Sequence, residues 1–227
     1  FLDELLRWSG HGDFRSAEQC PDCLAWSVSS PAQPEYRCKE CLVPDLTCSL
    51  CCVRRHRVHP FHQIEVRLHL CSRWDGHKFL TISLKSLGLK LQLNHAGSFC
   101  ENPIPVHTNM LVLHTNGIHD VTICYCGCPR ALPPNIQLLR RQLYPASHIK
   151  IKTCASFQLL EHLHKFTLTT KASTYDFYWA LEKLTTNTGM GVPKSHYKLL
   201  FRMILQWCHL KMLKWAGRAN DPTGVMA

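Results

Sequence analysis

The sequence predicts an α+β protein assembled in three parts, and three observations predict it. Paired cysteines crowd the first quarter, alternating apolar residues flank an Asn-Gly turn in the middle, and amphipathic helical patterns fill the end. The expected divisions are an N-terminal tail (1–19), a first zinc module (20–72), a small β-hairpin-rich zinc domain (73–150), a helical segment (151–217) and a closing tail (218–227).

The metal signal is the densest. Cys20-x2-Cys23, Cys38-x2-Cys41 and Cys48-x2-Cys51 are followed by His56, His59 and His62. A two-residue gap lets both thiolates of a pair face one ion, and tetrahedral zinc needs four such ligands. Three Cys pairs and two imidazoles therefore suffice for two zinc ions within 20–62. Disulfides belong to secreted chains, and Phe1 to Asp22 holds no charged segment followed by an apolar run. Little apolar material separates the pairs, so the ions must stand in for a core and metal binding becomes folding free energy.

Composition narrows the classes further. No stretch approaches the roughly 18 apolar residues of a membrane span. Fourteen cysteines without a leader point to a reducing compartment. The formal charge is +10, unevenly spread: 8 Lys+Arg face 9 Asp+Glu up to Ser72, and 18 face 7 from Arg73 onward. A polyanion is expected to meet that later, basic part.

Along the chain, Phe1 to Gln19 starts with an apolar helical fragment (Leu2, Leu5, Leu6, Trp8), and the absence of an initiator Met reads as a cut piece. Phe79 to Leu93 alternates like a strand, with a turn near Gly88. Residues 110–114 and 118–126 flank Asn116-Gly117, a dipeptide suited to a type I′ hairpin turn. Cys126-x-Cys128 at the strand end is half a metal site, and the segment before the hairpin offers His95 and Cys100. A third zinc on His95, Cys100, Cys126 and Cys128 follows, with Cys124 as the alternative thiolate. Residues 136–144 (IQLLRRQLY) read as a short helix with two solvated arginines. Residues 154–170 read as a helix with Phe157, Leu160, His164 and Leu168 on one face. Ser173 and Asp176 form a capping-box-like start to the next helix. The last, 196–217, presents Leu199, Leu200, Met203, Ile204, Trp207 and Leu210, and is basic through Lys194, Lys198, Arg202, Lys211, Lys214 and Arg218, the expected nucleic-acid contacts.

The order of pairs in 20–62, with YRC, then Asp-Leu, then C-x2-C, resembles cross-brace ZZ and B-box fingers. That resemblance implies one ion on Cys20, Cys23, Cys48 and Cys51, and another on Cys38, Cys41 and two histidines. His56 with His62 is the expected couple, His59 can replace either, and sequential pairing is the alternative. Cys52 is expected to be a spare thiol. From W-x-G-x-x-F (Trp74 to Phe79) through LKSLGLKLQLNHAGSFCENP and NGIHDVTICYCGCPRALPPNIQLLRRQLYPAS, the chain resembles the CxC-type cysteine cluster associated with KDZ transposases. The run TCASFQLLEHLHKFTLTTKASTYDFYWALEKLTTNTG and WCHLKMLKWAGRANDPTGV resemble the approach to that transposase's RNase-H-like core. The resemblance implies zinc on His95, Cys100, Cys126 and Cys128, nuclear localisation, and a first catalytic Asp lying beyond AGRANDPTGV.

Three functions compete. One is a zinc-dependent DNA- or chromatin-binding region at the N-terminal side of a transposase, meeting transposon ends or chromatin. Another is a ZZ- or B-box-like module for protein partners, histone tails or self-association. An enzyme fits least: RING-type ligand alternation is missing, saturated Cys/His sites leave no open position for water, and no paired carboxylates share a helix. Neither a membrane nor a small-molecule substrate is expected.

Overall fold

A computed structural model describes residues 1–10, 17–43, 45–68, 78–93, 100–105, 109–186 and 194–217. It divides into two compact units, 1–91 and 92–227. Among the described residues there are seven helices and nine strands, a mixed α+β architecture, and no helix is long and apolar enough to cross a membrane.

In the first unit, α1 (Leu2–Ser9) leads to two very short helices, α2 (Pro21–Ala25) and α3 (Ser49–Arg55). Pro21 opens α2 where its missing N–H costs nothing. Strands β1 (Tyr36–Cys38), β2 (Ile64–Leu68) and β3 (Lys78–Ile82) form an antiparallel sheet in sequence order, Cys38 facing Ile64 and Ile64 facing Ile82. Buried Arg37 fastens α1: its guanidinium donates to the carbonyls of Trp8 and Gly10 (both 2.9 Å), pairs with Glu65 (2.8 Å) and lies over Phe79 (3.5 Å). A cation at a helix C-terminus meets the negative end of its dipole. The expected N-terminal tail is therefore, over Leu2–Ser9, a held helix. β3, expected in the second domain, pairs with β2 and belongs to the first unit.

The boundary between units falls inside β4 (Lys90–Gln92), an edge of the second unit's sheet, just after Gly88 turns the chain at φ +90°. That sheet also contains β5 (Pro103–Pro105), β6 (Met110–His114), β7 (Gly117–Cys126), β8 (Leu143–Pro145) and β9 (Thr153–Ser156), with α4 (Pro134–Arg140) between β7 and β8. Its order is β4-β7-β6-β9-β8, with β5 beside the second half of β7. The β6–β7 hairpin forms as expected from its alternation, but its turn is not type I′. His114 pairs with Gly117, so Thr115 and Asn116 make the connection, and Asn116 is not among the positive-φ residues. The Asn116 side chain instead bonds His119 Nε2 at 2.8 Å.

Two helical expectations change at their ends. The helix expected over 136–144 stops at Arg140; Gln142 takes φ +58° and the chain re-enters the sheet as β8. The helix expected from 154 begins later, because Thr153–Ser156 lies parallel to β6 and antiparallel to β8, wholly buried. Ser156 then caps α5 (Phe157–Thr169) by accepting from the Leu159 N–H at 3.2 Å. Helices α6 (Thr174–Thr185) and α7 (Tyr197–Trp215) follow, α6 with the full capping box of Ser173 and Asp176.

The three helices share one core with the sheet: Leu113, Ile118, Ala155, Leu159, Leu160, Leu163, Tyr178, Leu181, Leu200, Met203 and Ile204 are buried together. The hairpin strands and the helices, expected in successive pieces, thus share a core within the second compact unit. Leu168 and Leu210, expected on the inner faces, are exposed, whereas Leu159 and Leu163 are buried.

Candidate metal centres

Helix α3 organises the first two centres. Cys48 precedes it in extended conformation, Cys51 lies in its first turn, and His56 is its C-cap. One seven-residue helix therefore serves both groups. The first is Cys20, Cys23, Cys48 and Cys51, all buried; the second is Cys38, Cys41, His56 and His62. In each group the four donor atoms lie within 4.8 Å of one another. The pairs interleave along the chain, as in a cross-brace.

The distances test whether zinc fits. Sulfurs at the corners of a tetrahedron with arms of about 2.3 Å stand about 3.8 Å apart, and a sulfur and a nitrogen about 3.5 Å. Cys23 Sγ is 3.7 Å from both Cys48 Sγ and Cys51 Sγ. Cys38 Sγ lies 3.3 Å from His62 Nδ1, and Cys41 Sγ lies 3.5 Å from His56 Nε2 and 3.6 Å from His62 Nδ1. Disulfide sulfurs would stand at about 2.05 Å. The donor sets, four thiols and two thiols with two imidazoles, are those of closed structural zinc sites.

Surrounding groups prepare the ligands. Backbone N–H groups donate to sulfur: Cys48 to Cys20 and Cys41 to Cys38, both at 3.3 Å. Burial raises the Cys20 thiol, but N–H donors from Cys48, Cys23 and Asp22 outweigh it and bring its pKa below the ordinary value. Burial pushes Cys38 up to about 12 and raises Cys51 as well. A bound cation reverses that preference, since the thiolate is the ligand. Burial lowers both His56 and His62, favouring the neutral rings a metal requires. His56 Nδ1 sits 2.7 Å from the Cys52 carbonyl, which only accepts, so Nδ1 carries the proton and Nε2 presents its lone pair to the cluster.

His59 lies outside the four-residue group, stacked on His62 with centroids 4.8 Å apart. Cys52 also lies outside it, buried beside Cys38 and Ile64. Asp22, between the first two cysteines, binds Arg55, the residue before His56, which also reaches Asp45 at 3.6 Å. No spacing in the sequence marks this ion pair, although Asp22 adjoins Cys23 and Arg55 adjoins His56.

The third centre lies in the second unit. Cys100, Cys126 and Cys128 come together, with Cys100 Sγ and Cys128 Sγ 3.8 Å apart, again the tetrahedral edge. Cys124 is buried but outside the group, and His95 lies outside the described residues. Gly127 is required here by close approach: a Cβ would meet Ile104 Cδ1 at 2.6 Å and the Asn102 carbonyl at 3.1 Å. Gly127 and Asn102 instead exchange bonds of 2.9 and 2.8 Å, tying β5 to the knuckle.

Residues 84–189 match the family model described as CxC2 like cysteine cluster associated with KDZ transposases. No curated protein matches the chain, and no solved structure does. The CxC2 segment takes in the third centre, the whole β5–β9 sheet, α5 and α6, while the cross-braced centres and α7 lie outside it. CxC2 is an accessory cysteine cluster, not a catalytic domain.

Within the CxC2 segment, Gln137 is a supporting residue with no signature in the sequence. Its buried side chain accepts from the Cys126 N–H (2.9 Å) and donates to the carbonyls of Cys126 (3.1 Å) and Leu132 (2.6 Å). Replacing Gln137→Ala is expected to weaken metal binding at the third centre about 10- to 100-fold, as loss of outer-shell support does. Competition against a chromophoric chelator reads this; an unchanged affinity would leave Gln137 only a sheet-packing role.

The residues expected to meet nucleic acid are placed unevenly. Lys194, Lys198 and Lys214 are exposed. The Lys211 ammonium binds Glu161 at 2.7 Å, and Arg202 donates to the Ala146 carbonyl. Arg202 and Lys211 stand roughly half a turn apart around α7, at about 100° per residue. Arg218 lies outside the described residues.

Proposed function

We propose that this chain is a zinc-binding, non-catalytic N-terminal region of a KDZ-type transposase, supporting attachment to transposon DNA or chromatin. The observation that carries the reading is the run of sulfur and nitrogen separations, 3.3 to 3.8 Å, at the edge lengths of zinc tetrahedra. Zinc is preferred over other metals because closed thiolate and thiolate–imidazole tetrahedra suit it. Two ions would sit in 20–62 in a ZZ/B-box-like cross-brace, and a third on Cys100, Cys126 and Cys128 with His95 as fourth ligand. The CxC2 match supplies the transposase association, and the net charge of +10 supplies attraction to DNA phosphates. On this reading the protein works in the nucleus, and strand cutting belongs to acidic residues past residue 227. The interleaved pairing in 20–62 also favours a second reading, a module for histone tails, other protein partners or self-association.

Native mass spectrometry of the purified chain tests the metal reading. Three zinc ions are expected, falling to two in each of Cys100→Ser, Cys126→Ser and Cys128→Ser. Two ions indifferent to those changes would remove the third centre, and with it the main chemical support for the transposase reading.

A further inference from the structure

The second unit carries a charge pattern that the metal centres do not use. Between Val121 and Leu160 there are five basic residues (Arg130, Arg140, Arg141, Lys150 and Lys152) and no Asp or Glu. All five are exposed. The carboxylate that follows the stretch, Glu161, is already held by Lys211 at 2.7 Å and Lys165 at 3.8 Å. None of Arg130, Arg140, Lys150 and Lys152 is ion-paired among the described residues.

The fold places four of these cations along one ribbon. Arg140 and Arg141 sit where α4 ends and the chain turns into β8, and Lys150 and Lys152 lie in the loop joining β8 to β9. β8 is three residues long, so the two pairs of charges flank about 10 Å of strand at roughly 3.3 Å per residue. The loop is braced: Ser147 Oγ donates to the Lys150 carbonyl at 2.7 Å, the Ala146 N–H donates to the Thr153 carbonyl at 2.9 Å, and Arg202 donates to the Ala146 carbonyl. Ile151 turns inward and is buried, while Ile149 at the tip is 100% exposed between His148 and Lys150.

A lone exposed isoleucine is ordinary. One held at the tip of a braced loop, next to Lys150 and shortly before Lys152, has the composition of a groove-inserting wedge, with basic side chains on the flanking phosphates. We propose that the β8–β9 ribbon, with the end of α4, is the duplex-DNA contact of this protein. The basic side chains bind backbone phosphates and Ile149 contacts a base step in the groove. This assignment rests on the DNA-attachment reading above and moves the principal contact from α7 to the ribbon. A phosphate backbone is the occupant that complements a surface with cations at both ends and no acid between them.

The test is fluorescence anisotropy of the full, metal-loaded chain with a short mixed-sequence DNA duplex over a series of salt concentrations. The quadruple variant Arg140→Ala, Arg141→Ala, Lys150→Ala, Lys152→Ala is expected to lose affinity by about tenfold or more, and to flatten the salt dependence by about one unit of slope per phosphate contact removed. Ile149→Ser is expected to weaken binding with the slope unchanged, since no phosphate contact is lost. Lys198→Ala with Lys214→Ala should leave both quantities near the parent values. All of these positions are exposed, and metal content checks that each variant folds. The proposal is overturned if the ribbon variant binds like the parent while the α7 variant does not. Single-stranded DNA or duplex RNA binding as tightly as duplex DNA would also overturn it. A parent chain that binds no duplex at any salt concentration would instead sink the DNA reading as a whole, an outcome separate from failure of the ribbon alone.

Discussion

Stripping metal from the purified protein is expected to unfold the first unit while the second keeps its fold. The buried set of the first unit is small: Cys38, Cys52, Ile64, Leu84 and Leu89 form one cluster, and the four cysteines of the first centre form another. Structural zinc in small modules contributes about 10–16 kcal/mol, against a typical whole-domain stability of about 5–15 kcal/mol. Without the ion, burial disfavours the thiolate form at Cys38 and Cys51, and the crowded sulfurs supply no comparable attraction. Hydrogen exchange, followed by mass spectrometry before and after excess chelator, reads the two units separately. Amides of residues 36–38 and 64–68 should lose protection, and those of 153–169 should keep it. Protection unchanged at 36–38 and 64–68 would mean that the cross-brace folds without metal. Cys48→Ser should reproduce the chelator's effect, because Cys48 both belongs to the first candidate centre and caps α3. Cys52→Ser should not release metal, because Cys52 lies outside both groups.

Leu160→Ala should do the reverse, destabilising the second unit and sparing the cross-braced centres. Leu160 is fully buried in the cluster formed by α5, α6, α7 and the sheet. Truncating such a leucine leaves a cavity and costs about 2–5 kcal/mol. Leu168→Ala, on the same helix but exposed, should stay within about 0.5 kcal/mol. The same exchange measurement decides: opening of α5 to α7 should become more frequent in Leu160→Ala alone, with the metal of 20–62 retained. Equal effects at the two positions would show that α5 does not face the core as described. The contrast between the two variants separates a unit held by its apolar core from one expected to be held by ions.

The candidate metal groups were legible because coordination by paired cysteines writes itself into spacing. Two residues between cysteines is a local geometric requirement, so the three pairs and the histidines near 56–62 stood out without any knowledge of the fold. The hairpin was legible for a similar reason, since alternation in 110–114 and 118–126 reflects the period of the strand. Its turn differs from the Asn-Gly expectation: His114 pairs with Gly117, which draws Gly117 into β7 and shifts the two-residue connection back by one position. Parts of the short β8 and β9 fall in the helices expected over 136–144 and 154–170, because Leu143–Pro145 and Thr153–Ser156 are brief runs whose partners lie elsewhere in the chain.

The sequence by itself determined which atoms are available to hold metal, that a helix begins after Ser173, and where the basic surplus lies. Those properties depend on neighbours within a few residues, and local chemistry decides them. Tertiary structure alone decided that α3 feeds two centres at once and that His56 offers Nε2 because the Cys52 carbonyl takes the proton on Nδ1. It alone also decided that Gln137 grips the backbone of Cys126 and that hairpin and helices share one core. Each joins groups through space, and a pattern read along one dimension carries no record of which distant surfaces will meet.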